Sequence, residues 1–138
     1  MRQAVHRLSL QTRGRGLYEF TDKVLRWLVS EKFSTGLLTV YCRHTSASLL
    51  IQENADPDVQ TDLQNYFEEI APESDRYIHA AEGPDDMPAH LRAALTQTSL
   101  SIPVTEGRPA LGTWQGIYLF EHRTRPHDRE IVLHIIGN

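Results

Sequence analysis

A chain of 138 residues fits one domain with a single sizeable core, and its 40% hydrophobic and 23% charged content is that of a globular protein. Fourteen basic against eighteen acidic residues, a formal charge of −4, supply no field for a nucleic-acid backbone, and no apolar run is long enough to span a membrane. Met1 to Leu10 lacks the continuous apolar stretch of a secretory signal, so a cytoplasmic protein is expected.

The elements follow in chain order. Gln3 to Gln11 alternates Ala4, Leu8 and Leu10 with polar neighbours and is predicted to be a strand. After Gly14 and Gly16, the helical spacing of Phe20, Val24, Trp27 and Leu28 predicts an amphipathic helix over Tyr18 to Ser30. Leu37 to Tyr41 and Ser48 to Gln52 have the apolar, β-favouring content of strands. Cys42, the lone cysteine, cannot form an internal disulfide and is expected to be a buried thiol.

Asp56-Pro57 is a helix start, because the carboxylate accepts from free amides and proline suits the first turn. That helix is predicted to reach Ile70, burying Val59, Leu63 and Phe67. The signal recurs at Asp85-Asp86-Met87-Pro88, opening a helix to Thr96 that packs Leu91 and Leu95. Leu100 to Thr105, Thr113 to His122 and Ile131 to Ile136 are predicted to be strands of one antiparallel meander, since their connections are too short for parallel crossovers. The fold class is therefore α+β, a largely antiparallel sheet carrying helices, in one domain over residues 1–138.

Seven histidines in so short a chain raise the question of metal binding. His6, His127 and His134 have no polar cluster beside them. His44 precedes Thr45-Ser46-Ala47-Ser48, small hydroxyls that suit either an anion or a turn bonded to its own backbone. Glu53-Asn54-Ala55-Asp56 sets polar groups between a strand and a capped helix. The densest cluster is His79 to His90, with Glu82, Asp85 and Asp86 around a Gly-Pro turn. Asp86 and His90 stand four apart on one helix face, and imidazole with carboxylate is the donor chemistry of zinc or magnesium sites. The same helix start would also favour an anion or a simple cap. Glu121-His122-Arg123, at the exit of a strand containing Gln115, offers an acid/base pair and a phosphate clamp.

Taken in order, His44-Thr45-Ser46-Ala47-Ser48 running on to Glu53-Asn54-Ala55-Asp56-Pro57-Asp58-Val59, Glu82-Gly83-Pro84-Asp85-Asp86-Met87-Pro88-Ala89-His90, and Gly112-Thr113-Trp114-Gln115-Gly116-Ile117-Tyr118 with Glu121-His122-Arg123 resemble the YjbQ family over nearly the whole chain. The resemblance implies an α+β fold, a homotrimer, and a polar site near subunit contacts that holds a divalent metal or a phosphate-like anion. It also implies a secondary thiamine-phosphate synthase activity. Carried over by motif, the catalytic candidates are His44, Glu53, Asn54, Asp86, Gln115 and Glu121, and the metal candidates His44, His90, His122 and, more loosely, His79. The expected function is an enzyme acting on phosphorylated small molecules. The alternatives are a non-catalytic metal- or anion-binding oligomer and a structural adaptor.

Overall fold

A computed structural model describes all 138 residues as eight strands and three helices. The strands are β1 (Arg2–Gln11), β2 (Gly16–Glu19), β3 (Gly36–Cys42), β4 (Ala47–Glu53), β5 (Ser99–Thr105), β6 (Arg108–Pro109), β7 (Gln115–Glu121) and β8 (Asp128–Gly137). The helices are α1 (Thr21–Glu31), α2 (Pro57–Ile70) and α3 (Asp86–Leu95). This is the expected α+β class. No helix is long and apolar enough to cross a membrane.

Two antiparallel sheets replace the single meander. One has the order β1-β8-β3-β5-β6, the other β2-β7-β4. The three late strands do not neighbour one another: β8 lies between β1 and β3, β5 lies beside β3, and β7 joins the second sheet. Short connections fixed the antiparallel sense of the pairing but not its partners, which the long-range register of the apolar faces decides. Gly36 and Gly137 face each other in that register. A Cβ on Gly36 would stand 2.4 Å from the Ile136 carbonyl oxygen, so the close approach demands glycine.

The two sheets enclose one core. Leu38 and Val40 of β3, Leu100 and Ile102 of β5 and Ile131, Leu133 and Ile135 of β8 meet Leu49 of β4 and Ile117 and Leu119 of β7. Cys42 is buried among them. Val24, Trp27 and Leu28 of α1 close one side, with Trp27 stacked on His6. The predicted start of α1 at Tyr18 gives way to β2, paired with β7 through Glu19, and Phe20 caps the helix without a side-chain bond.

α2 begins as the Asp56-Pro57 signal requires, the Asp56 carboxylate accepting from the Asp58 amide. Of its expected apolar face only Phe67 is buried, set edge-on against Phe120 at 5.3 Å between ring centroids. Thus β7 is covered on both faces, by the core and by the helices, and Gly116 to Glu121 are all buried. In α3 the buried residues are Asp86, Pro88, Ala89 and Arg92, while Leu95, expected inside, is 64% exposed.

Candidate functional site

The exit of β7, the turn between β3 and β4 and the start of α3 converge at one end of the three-stranded sheet. Their framework is a buried ion pair. The Glu121 carboxylate accepts from Arg129 through both oxygens, from the Thr12 hydroxyl at 2.6 Å, and from the backbone amides of His122 and Arg123. Burial pushes this carboxyl up, but the Arg129 and Thr12 hydrogen bonds outweigh it and hold it below its ordinary value. With five donors on its two oxygens, Glu121 is fully engaged and presents no free lone pair for the acid/base role expected of it.

Arg123, placed by that amide contact, reaches across to α3. Its Nε donates to Asp85 Oδ2 at 2.9 Å and its Nη1 to Asp86 Oδ1 at 2.7 Å. Asp85 also accepts from the Thr124 amide and hydroxyl, so it serves Arg123 and Thr124 and makes no side-chain cap on the helix.

Asp86 Oδ2 is the centre of a four-residue group. His79 Nε2 stands 2.6 Å and His90 Nε2 3.0 Å from it, and Glu82 Oε2 lies 3.2 Å from His79 Nε2. The ligand atoms of His79, Glu82, Asp86 and His90 all lie within 4.8 Å of one another. The Gly83 turn, at φ +106°, folds Glu82 back toward the helix start. Burial raises the Asp86 carboxyl, but the His79 hydrogen bond and the charges of His90 and Arg123 overcome it, leaving the group below the usual carboxylate range. The same hydrogen bond raises His79.

The arrangement calls for a positive charge between His90 and Asp86, which a ring proton or a metal ion supplies. His90 Nδ1 donates to the Thr45 carbonyl at 2.9 Å. A protonated ring then donates to the Asp86 oxygen from Nε2 as well, whereas a neutral ring has one N–H and presents its Nε2 lone pair there. Two lone pairs at that distance repel unless a proton or a metal ion lies between them. Metal-bound histidines commonly tie their second nitrogen to a carbonyl, and ligating carboxylates are themselves hydrogen-bonded, as Asp86 is by Arg123. Two imidazoles and two carboxylates suit zinc or a similar transition ion better than magnesium, which favours an all-oxygen shell.

The remaining sequence candidates separate. Two of the four expected metal ligands, His44 and His122, are not in the group. His44 Nε2 accepts from the Glu130 amide at 2.8 Å, which ties its ring to β8 and away from the four-residue group. His122 is completely buried with Nε2 on Ser48 Oγ at 2.8 Å. Burial, then the charges of Arg92, Arg129 and Arg15, pull its ring down to about 3. Glu53 and Gln115 are register partners at the far end of the β4/β7 pair from Ala47 and Glu121. At about 3.3 Å per residue they and neighbouring Asn54 stand about 20 Å from the Glu121 end of the pair, the end beside which the group lies. Their own contacts are local, Glu53 Oε2 accepting from the Asp56 amide and Gln115 Oε1 from that of Gly112.

Sequence reasoning left out Glu82 as a ligand and Arg123 as its supporting group. Glu82 was within reach of the signal, since it shares the stretch His79 to His90 with the i, i+4 pair. Arg123 was not, because its link to Asp85 and Asp86 spans nearly forty residues.

Comparison with known proteins matches residues 6–138 to the family described as UPF0047 protein YjbQ-like. The UPF0047 protein sll1880 of Synechocystis is 53% identical over 137 residues, covering 99% of this chain and 93% of that protein. YjbQ of Escherichia coli O157:H7 is 41% identical, covering 94% and 95%. The crystal structure of a yjbq/upf0047 protein from Clostridium acetobutylicum superposes with a TM-score of 0.88 at 36% identity, over 95% of this chain and 99% of that one. A protein of unknown function from Sulfolobus solfataricus has the same fold, with a TM-score of 0.87 at 23% identity over 99% and 100%.

Proposed function

Because the chain belongs to the UPF0047 family of YjbQ-like proteins, we propose that it is a metal-dependent enzyme acting on a phosphorylated small molecule, with His79, Glu82, Asp86 and His90 holding one divalent ion. The observation that carries this reading is the convergence of four ligand atoms, from His79, Glu82, Asp86 and His90, within 4.8 Å of one another, with the second ring nitrogen of His90 tied to the Thr45 carbonyl. A bound ion would supply Lewis-acid polarisation of a phosphoryl oxygen and neutralise a departing phosphate. The chain's own residues orient that chemistry: Thr45 fixes the His90 ring, Arg123 holds Asp86 and Asp85 together, and the Glu121–Arg129 pair anchors the strand end from which Arg123 projects. The joining of a pyrimidine diphosphate to a thiazole phosphate, which the family resemblance implies, is the first reaction to assay.

Self-association belongs to the same reading. The outer face of the five-stranded sheet exposes Val5, Leu37, Tyr41 and Ile136, an apolar patch that a cytosolic homotrimer would cover. In such an assembly Glu53, Asn54 and Gln115 could approach the cation group of another copy, which lies too far away within one chain.

Plasma mass spectrometry of freshly purified protein and of the His90→Ala variant tests the cation site. A near-stoichiometric metal, lost in the variant, is the expected result. Absence of metal in both overturns it. Metal retention without turnover of any phosphate ester would leave a binding module instead of an enzyme.

A further inference from the structure

On the helix-covered face of the three-stranded sheet lie two arginines and a neutral imidazole, each with at least one buried nitrogen that has no hydrogen-bond partner. Arg92 of α3 is completely buried, and its Nη2 donates weakly to the Ala71 carbonyl at 3.3 Å. Its Nε and Nη1 are buried without any hydrogen-bond partner. Arg15 Nε donates to the His122 carbonyl at 3.0 Å and its Nη1 to Glu68 Oε1 at 3.4 Å, while its buried Nη2 makes no hydrogen bond and has only Glu73 Oε2 at 3.8 Å. The Nδ1 of buried His122 is also unpartnered.

The two guanidinium groups approach one carboxylate. Glu68 Oε1 stands 3.4 Å from Arg15 Nη1 and 3.8 Å from Arg92 Nη2, so the two nitrogens lie within about 7 Å of each other. That carboxylate, 59% exposed on its side chain, bonds Arg15 at the long limit and is too distant to satisfy Arg92, because charge-assisted bonds run to about 2.7–2.9 Å. Burial and then the Arg15 charge push the Arg92 guanidinium down from its ordinary value. Buried, unpaired charge costs several kcal/mol, and native structures rarely leave such donors unmatched.

We propose that Arg15, Arg92 and the His122 ring form an internal cradle for the phosphoryl group of the substrate. The inference rests on the phosphorylated-substrate reading above and gives that substrate its anion subsite. Planar guanidinium forks present paired donors that match phosphate oxygens, and two of them within about 7 Å can grip one tetrahedral anion from two sides. The segment over residues 71–85, without helix or strand, meets the cradle through Ala71 and Glu73 and then carries His79 and Glu82 to the cation group. One loop thereby links the anion to the metal.

The test uses the full chain after chelation, with inorganic phosphate as probe and ionic strength held constant with chloride. Phosphate is expected to raise the melting temperature of the wild type, since a ligand of the folded state stabilises it. Arg92→Met and Arg15→Met are each expected to bind phosphate about 10- to 100-fold more weakly, the worth of one or two charge-assisted hydrogen bonds. In phosphate-free buffer Arg92→Met should melt no lower than wild type, because a well-packed apolar replacement removes an unpaired buried charge. His90→Ala should retain the wild-type phosphate response. Phenyl phosphate, run in parallel, should compete for the site.

The proposal is overturned if wild type does not respond to phosphate, if both arginine variants respond as wild type does, or if His90→Ala loses the response with them. Binding of inorganic phosphate without competition from phenyl phosphate would refute the assignment to a substrate's phosphoryl group. Arg92-dependent phosphate binding in a protein that never holds metal would sink the cation reading and leave the cradle standing.

Discussion

Acid should destabilise this protein through one imidazole. His122 is buried against Arg92 of α3, Arg129 of β8, Arg15 before β2 and Ser48 of β4, with Phe120 on its own strand. Its ring is held at about 3 in the folded chain, against about 6.5 when unfolded. Between those values the unfolded state binds the extra proton, so stability falls as pH falls. At about 1.4 kcal/mol for each pH unit, the loss attributable to this ring is roughly 2–3 kcal/mol on going from pH 6.5 to 4.5, and about 5 kcal/mol once pH 3 is passed.

Urea unfolding of wild type and His122→Gln, in chloride buffers free of phosphate, isolates that contribution. Carboxylates such as Glu121 titrate in both proteins and largely cancel in the difference. The wild-type stability relative to the variant should shrink by roughly 2–3 kcal/mol between pH 6.5 and 4.5. A difference that stays flat refutes the reasoning, since the ring would then accept its proton as readily inside the protein as in water.

Other perturbations have defined outcomes. Glu121→Gln breaks a buried bidentate pair and should cost about 3–5 kcal/mol by denaturant titration; a loss below 1 kcal/mol would show that Arg129 finds another partner. Phe67→Ala empties the contact with Phe120 and should cost about 3–5 kcal/mol, read from the same titration. Gly36→Ala brings a methyl onto the Ile136 carbonyl and should cost about 1–3 kcal/mol, which unchanged thermal melting would contradict. Asp56→Ala removes the α2 cap and should cost about 1 kcal/mol, with a matching loss of helical circular dichroism on heating.

What was legible in the sequence was local. Asp56-Pro57 marked α2 because a cap and a first-turn proline act within three residues, and Asp86 with His90 was visible because a helix sets i and i+4 on one face. β2 was missed because its four residues run straight into α1 and share its apolar spacing. The meander failed because β8 pairs with β1, more than a hundred residues away. His44 and His122 attracted attention as histidines, but the Glu130 amide and the Ser48 hydroxyl that claim them come from distant strands. In α3 the pattern favoured Leu95 for the interior, whereas the structure turns Arg92 inward beneath Ala71. An arginine buried at the cost of an exposed leucine is the kind of local inconsistency that marks a site.

The position of β8 governs how this chain must assemble. It is synthesised after both strands it joins, so β1 and β3 leave the ribosome with open edges and no strand between them. The five-stranded sheet therefore cannot close while the chain is still being extended through residue 127, and Arg129, the counter-charge of Glu121, arrives with the same strand. Until then Glu121 has hydrogen-bond donors but no counter-charge in the nascent core. Folding should be concerted and late, slow as long-range pairings are, with a window in which two sticky edges seek a strand from any neighbour.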